Sequence, residues 1–70
     1  MTRKDYELLA RAINAAGEVV MRTYETGGFT AAEASAAREG LAIVRAEISG
    51  RLAEDNPRFD APKFKEACGV

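Results

Sequence analysis

Residues 27–33, Gly27-Gly28-Phe29-Thr30-Ala31-Ala32-Glu33, separate two long segments of helical periodicity and decide the fold. The two glycines supply the left-handed conformation that commonly ends a helix. Thr30 and Glu33 then have the spacing of a capping box, in which each side chain accepts a hydrogen bond from the other residue's backbone N–H, and Phe29 stands at the position of a hydrophobic staple. The stretch therefore predicts a turn at which one helix ends and a second begins.

The two segments that flank this turn each carry an apolar stripe. Apolar residues recur every three or four positions, which is the period of an amphipathic helix, and predict helices over residues 3–26 and 31–54. Asn56-Pro57 closes the second helix, because the residue before a proline is disfavoured in the helical conformation. The stripe residues are Tyr6, Leu9, Ile13, Ala16, Val20 and Thr23 in the first helix, and Ala34, Ala37, Leu41, Val44, Ile48 and Leu52 in the second.

A third, short helix is predicted over residues 61–68. Asp60 is suited to the N-cap, Pro62 falls in the first turn, where its missing N–H does no harm, and Gly69 stops the helix. Since two turns of helix are marginally stable alone, this segment is expected to fold back on the long pair. No strand pattern competes. The sequence predicts one all-α domain over residues 1–70, an antiparallel hairpin of two long helices plus a short C-terminal helix.

The residue types available for chemistry argue against an enzyme. The 70 residues include no His and one Cys. A zinc site draws most of its ligands from Cys and His, and a catalytic triad or dyad needs a base of the His type. Cys68 has no His to activate it and is expected to be a buried apolar residue. No catalytic residue, metal or cofactor is expected.

The net charge and the apolar pattern argue against two kinds of partner, nucleic acid and membrane. Ten Lys and Arg against eleven Asp and Glu give a formal net charge of −1. Direct nucleic-acid binding is not expected at this balance, because nucleic-acid-binding domains usually show a basic excess. No membrane association is expected either, because no apolar run approaches the roughly twenty residues that cross a bilayer.

Self-association is expected from a second set of apolar residues beside each stripe. These residues are Leu8, Ala12 and Val19 in the first helix, and Ala42 and Ile43 in the second. They would leave a long apolar strip in water, and monomers rarely expose such a strip. A helical-bundle homo-oligomer, a dimer or higher, would cover it. The alternative is a monomer in which the third helix covers the strip.

Five residues are candidates for binding a partner or an anion. Arg38 and Arg45 are seven positions apart on one face of the second helix and lack a Glu four positions upstream. Arg3 and Lys4 lie at a helix N-terminus, where the dipole favours negative charge, so an anionic partner would suit them. Tyr24, near the hairpin turn, can present an aromatic surface to a base or a partner's groove. The alternative is that none of the five binds a partner: the four cations would then be solvated, and the Tyr24 ring would be packed in the core.

The two ends of the chain carry motifs. The C-terminal stretch is Asn56-Pro57-Arg58-Phe59-Asp60, followed by Phe64 and by Ala67-Cys68-Gly69, and the chain opens with Thr2-Arg3-Lys4-Asp5-Tyr6. Both stretches resemble the ends of many small uncharacterised proteins encoded by bacteriophages and prophages. After the Asp, where those proteins commonly have an Arg-containing sequence, this chain has Ala61-Pro62-Lys63. The resemblance implies a source and a genomic setting.

A phage or prophage setting favours a function that the protein performs by binding to a host molecule. The leading hypothesis is a non-enzymatic phage accessory protein that inhibits a bacterial immune system, as an anti-CRISPR or other anti-defence factor. It would bind stoichiometrically to a host protein complex in the cytoplasm of the infected bacterium. Two alternatives stay open. One is an oligomeric sponge in which Arg38, Arg45 or Arg3-Lys4 of neighbouring subunits hold the phosphates of a signalling nucleotide. The other is a small structural or regulatory helical dimer.

Overall fold

Three helices make up the fold in the computed structural model, which describes residues 2–69. Helix α1 spans Arg3–Glu25, α2 spans Ala31–Asp55 and α3 spans Ala61–Cys68. No strand occurs between residues 2 and 69, so the predicted all-α class is confirmed. The long helices α1 and α2 form an antiparallel hairpin, and α3 packs against both of them.

Both long helices begin with a complete capping box. In α1 the Thr2 N–H donates to Asp5 Oδ2 at 2.9 Å, and the Asp5 N–H donates to Thr2 Oγ1 at 3.4 Å. In α2 the Thr30 N–H donates to Glu33 Oε1 at 2.9 Å, and the Glu33 N–H donates to Thr30 Oγ1 at 3.1 Å. The backbone hydrogen bonds from Thr2 and Thr30 hold the pKa values of Asp5 and Glu33 below their usual values.

The fold is expected to lose stability as the pH falls below the ordinary pKa values of these carboxyls, 4.5 for Glu33 and 3.8 for Asp5. A carboxyl whose pKa is lowered by folding stabilises the fold above its unfolded pKa. That stabilisation is lost as the pH falls through the folded pKa. Glu33→Gln keeps an oxygen for the Thr30 N–H but cannot titrate, so its melting temperature should depend less on pH than that of the wild type. Thermal unfolding followed by circular dichroism from about pH 5 to 3 measures this, and equal pH dependence in the two proteins would contradict it.

Helix α3 ends at a glycine that its neighbours require. Gly69 has φ +69°, and a Cβ at this position would collide with the side-chain amide of Asn14. The same amide donates from Nδ2 to the carbonyl oxygen of Cys68 at 3.3 Å. The end of α3 is therefore fixed against the middle of α1.

Gly69→Ala is expected to lower the free energy of unfolding by about 1–2 kcal/mol, because an L residue is strained at this φ and the added methyl displaces Asn14. Gly50→Ala is the matched control. Gly50 lies inside α2 with nothing within 4 Å of an added Cβ, so alanine there should raise the stability by about 0.5–1 kcal/mol. Urea unfolding measures both changes. A Gly69→Ala protein as stable as the wild type would show that α3 does not end against Asn14.

The hydrophobic core lies where α1 begins and α2 ends, and α3 closes it. The Phe59 ring centroid lies 4.9 Å from that of Tyr6 and 5.4 Å from that of Phe64, in the tilted arrangement that aromatic pairs favour. Helix α3 runs beside α1 from the level of Tyr6 to the level of Asn14 and stops there, so half of the groove between α1 and α2 is left uncovered. The buried members of the core cluster are Ala10, Ile13, Leu52, Phe64 and Cys68.

The structure confirms most of the predicted α2 stripe, because five of its six residues are buried or half-buried: Ala34, Ala37, Leu41, Ile48 and Leu52. Val44 is 46% exposed, so its predicted place in the core is wrong, whereas Ser49 is 2% exposed. Helix α3 packs against α2 as well as α1, and Arg45 and Ser49 are less exposed than Val44. The buried face of α2 therefore extends to Arg45 and Ser49 and leaves out Val44.

Candidate functional site

The uncovered half of the groove between α1 and α2 forms a concave surface at the hairpin-turn end of the molecule. It consists of two adjoining clefts of about 430 and 470 Å³ that share Met21 and Arg38. Gly69, at the end of α3, lines the first of them. We call this surface the open groove, and it is lined by Gly17, Met21, Tyr24, Ala34, Arg38 and Ala42.

The walls of the open groove follow from helical spacing. Met21 and Tyr24 are three positions apart and so lie on one face of α1, with 36% and 42% of their surface exposed. Ala34 is 6% exposed and forms part of the floor from α2. Arg38 lies one turn further along α2 and lines both clefts. The result is a shallow floor of small residues between a flexible thioether, an aromatic ring and a guanidinium.

One cation of α2, Arg38, lines both clefts of the open groove. The ion pairs within residues 2–69 are Arg3–Glu7 and Arg51–Glu47, each at 3.3 Å, and neither involves Arg38 or Arg45. Arg45 Nε is buried and has no hydrogen-bond acceptor among the residues described. Arg45 lines neither cleft, whereas Glu18 and Arg22 line one cleft and Glu39 lines the other. Because Arg38 forms no ion pair within residues 2–69, its guanidinium can receive an acidic group.

Cys68 does not supply a reactive thiol to this surface. Its side chain is fully buried beneath the end of α3. Burial raises the pKa of the thiol, and the positive charge of Arg45 offsets only part of that effect. The expectation of a buried, apolar cysteine is confirmed.

A second concave surface, the aromatic cleft, lies at the opposite end of the molecule and has a volume of about 430 Å³. Asn56 supports it by donating from Nδ2 to the Tyr6 hydroxyl at 3.2 Å, and its Oδ1 accepts from the Arg58 N–H at 3.0 Å. Its rim also carries Glu7 and Asp60, and Asp60 is occupied as the N-cap of α3. The side chains that define it are Tyr6, Phe59 and Phe64 in the wall and Arg3, Arg58 and Lys63 on the rim.

The five residues that the sequence singles out are divided between these places. Tyr24 and Arg38 meet at one cleft of the open groove. Arg45 lies near Cys68, where α3 ends. Arg3 lines the aromatic cleft and pairs with Glu7, and Lys4 is exposed and lines none of these clefts. Along α1, Arg3 and Tyr24 are separated by roughly 30 Å, so one chain cannot bring all five together.

Sequence reasoning missed Met21, Arg58 and Lys63. Met21 could have been identified from the sequence, because it lies three positions before Tyr24 and therefore on the same helical face. Arg58 and Lys63 lie on either side of the N-cap Asp60, and only the packing of Phe59 on Tyr6 brings them to the rim with Arg3. The flanking residue Ala42, expected beside Ile43 on an outer strip, lines the open groove instead.

Comparison with known proteins identified no relative of this chain. The chain matches no protein-family model, and no curated protein or solved structure is detectably similar to it. Neither α1, α2 nor α3 combines the length and the apolar content that a transmembrane helix needs. Within residues 2–69 no three His, Cys, Asp or Glu side chains come together as metal ligands.

Proposed function

We propose that this protein is a non-enzymatic phage accessory protein that inhibits a bacterial immune system by stoichiometric binding to a host protein complex. It would act as an anti-CRISPR or other anti-defence factor in the cytoplasm of the infected bacterium. The observation that carries the proposal is the open groove, where Met21, Tyr24 and Arg38 surround a floor of small residues. Tyr, Met and Arg are enriched at protein interfaces, and Tyr and Arg dominate their energetic hot spots.

The shape of the open groove favours a helical element of the partner. Helix α3 fills the other half of the same groove, so a second short helix in line with α3 has matching space. From Asn14 to Tyr24 the groove follows about three turns of α1, or roughly 15 Å. An amphipathic helix of about ten residues spans that length and can place its apolar face on Met21 and Tyr24.

Arg38 favours an acidic group on that helix. It lines both clefts of the open groove and forms no ion pair within residues 2–69. A carboxylate that reaches Arg38 would form a charge-assisted, bidentate contact. The motifs at the two ends of the chain, which resemble those of phage proteins, support the immune-evasion setting in which such a contact would act.

The experiment is a plating assay in bacteria that carry one of a panel of defence systems. Expression of the wild type should raise the plating efficiency of a targeted phage at least tenfold with one system, and the double variant Tyr24→Ala, Arg38→Glu should abolish the rise. Arg11→Glu is the matched control, because Arg11 is exposed on α1 and lines none of the clefts. Circular dichroism must show equal helix content in all variants. No rise with any system, or an equal rise with the double variant, contradicts the proposal.

A sponge for a signalling nucleotide is the second candidate, and the aromatic cleft favours it. Its volume of about 430 Å³ falls in the range of small-molecule sites, and its wall can stack on a base while its cationic rim meets phosphate. Cyclic nucleotides should then raise the melting temperature of the wild type but not of Arg58→Ala. No shift with any nucleotide tested excludes this candidate and leaves the groove proposal untouched.

A further inference from the structure

Each long helix has an apolar stripe on the face of the hairpin opposite α3. We call this face the bare face and define it by Leu8, Ala12 and Val19 of α1 and by Ala37 and Val44 of α2. The spacings are four and seven along α1 and seven along α2, so each set forms one stripe. Leu8, Val19 and Val44 are 60%, 51% and 46% exposed.

Helical geometry places both stripes on the same side of the hairpin. Val19 lies about 160° round α1 from Met21, and Val44 lies about 160° round α2 from Ala42. Met21 and Ala42 both line the open groove on the side of α3. The bare face and the open groove are therefore back to back, and covering one does not obstruct the other.

The chain exposes more surface than a compact protein of its mass. Its accessible surface is 4991 Å², whereas about 4250 Å² is typical of a folded monomer of 7.5 kDa. The radius of gyration is 13.3 Å, against about 11 Å for a compact domain of 70 residues. The molecule is a rod of 42 × 18 × 14 Å, too thin to bury two stripes on each long helix.

This excess is large enough for one side of a dimer interface. The surplus, which is summed over the whole molecule and includes the open groove, is roughly 700 Å², and each partner contributes about 800 Å² to a standard protein interface. The five residues that define the bare face are apolar, and charged residues at helical spacing from them, Arg22 three positions after Val19 and Arg51 seven positions after Val44, lie at its ends. Its alanines permit the close approach that packed helices need, about 8–10 Å between axes.

We infer that the bare face is covered by the bare face of a second copy of this chain. A two-fold axis makes such a contact self-complementary and closes it at two subunits. The four long helices then form a bundle whose interior contains Val19 and Val44 of both subunits. The two open grooves face outward on opposite sides of this dimer, so each remains free for its own partner.

The test is the molar mass in solution, from light scattering and sedimentation equilibrium across a concentration series. The wild type should have twice the chain mass, and Val44→Asp should weaken association by about a hundredfold or more, because it places a charge in the contact. Ile43→Asp is the matched control. Ile43 is the adjacent residue, 71% exposed and turned about 100° from Val44, so this variant should remain dimeric.

Two further variants test whether the dimer contact lies on the bare face or in the open groove. Leu8→Gln introduces no charge, so it should weaken the dimer with unchanged helix content even if Val44→Asp fails to fold. Tyr24→Asp alters the open groove and should leave the dimer intact. A wild type that is monomeric at roughly 500 µM, where even weak contacts associate, overturns the inference. A dimer broken by Tyr24→Asp and not by Leu8→Gln overturns it as well, since the contact would then lie in the groove.

Discussion

Phe64→Ala should lower the free energy of unfolding by about 3–5 kcal/mol, a large share of the stability of a domain this small. Phe64 is 5% exposed and belongs to the core cluster with Ile13 and Leu52. It is also the residue through which α3 contacts the Phe59 ring. Its loss leaves a cavity beneath α3, so α3 should detach and helix content should fall.

The matched control for this prediction is Lys65→Ala, the next residue along α3. Lys65 is exposed, so its truncation should change the stability by no more than about 0.5 kcal/mol. Urea unfolding followed by circular dichroism measures both variants. If Phe64→Ala were within 1 kcal/mol or so of the wild type, α3 would not be closing the core, because burial of this ring is worth more than that.

Leu52→Asp is expected to unfold the chain at room temperature. Leu52 is 7% exposed in the core cluster, and a carboxylate there would be buried with no partner, at a cost of about 4 kcal/mol or more. Ile43→Asp, a similar change in the same helix at a site 71% exposed, should alter the stability by about 0.5 kcal/mol or less. Helix content and the melting temperature separate the two variants.

The contrast between these two positions tests which face of α2 points inward. A folded Leu52→Asp protein would contradict the buried face described above. An unfolded Ile43→Asp protein would contradict it too, because it would show that the outer side of α2 contributes to the core. Neither result depends on the function of the protein.

The helix ends could be predicted because their causes are local. Thr30 and Glu33 satisfy each other's backbone N–H groups within one turn, and Gly69 ends α3 where a left-handed residue is needed. The capping box of α2 and the all-α class therefore followed from short stretches of sequence. Each helix boundary lies within one residue of its predicted position.

The exposure of Val44 could not be predicted, because it depends on how a distant helix packs. Val44 and Arg45 are adjacent in α2, and α3 packs against both long helices, so tertiary packing determines which of the two lies nearer to the core. Hydropathy favoured Val44, whereas the structure leaves it 46% exposed. A charged side chain with a long apolar stem can occupy such a half-buried place, and Arg45 does so.

The candidate site could be predicted only in part, because it too depends on how the helices pack together. Tyr24 and Arg38 could each be named from sequence, but their meeting at one cleft depends on the register of the hairpin. The exposure of Met21 depends on the length of α3, whose eight residues end before reaching it. A longer α3 would fill the open groove, so the end of α3 at Gly69 is what leaves this groove uncovered.

Helix α3 covers one half of the hairpin groove and leaves Met21 and Tyr24 accessible in the other half. Methyl NMR with a soluble paramagnetic agent tests this arrangement, since the agent broadens only methyl groups that it can approach. We expect strong broadening of the Met21 methyl and protection of the Ile13 and Leu52 methyls, which are 7% exposed in the core. A Met21 methyl as protected as that of Ile13 would show instead that the groove is filled along its whole length.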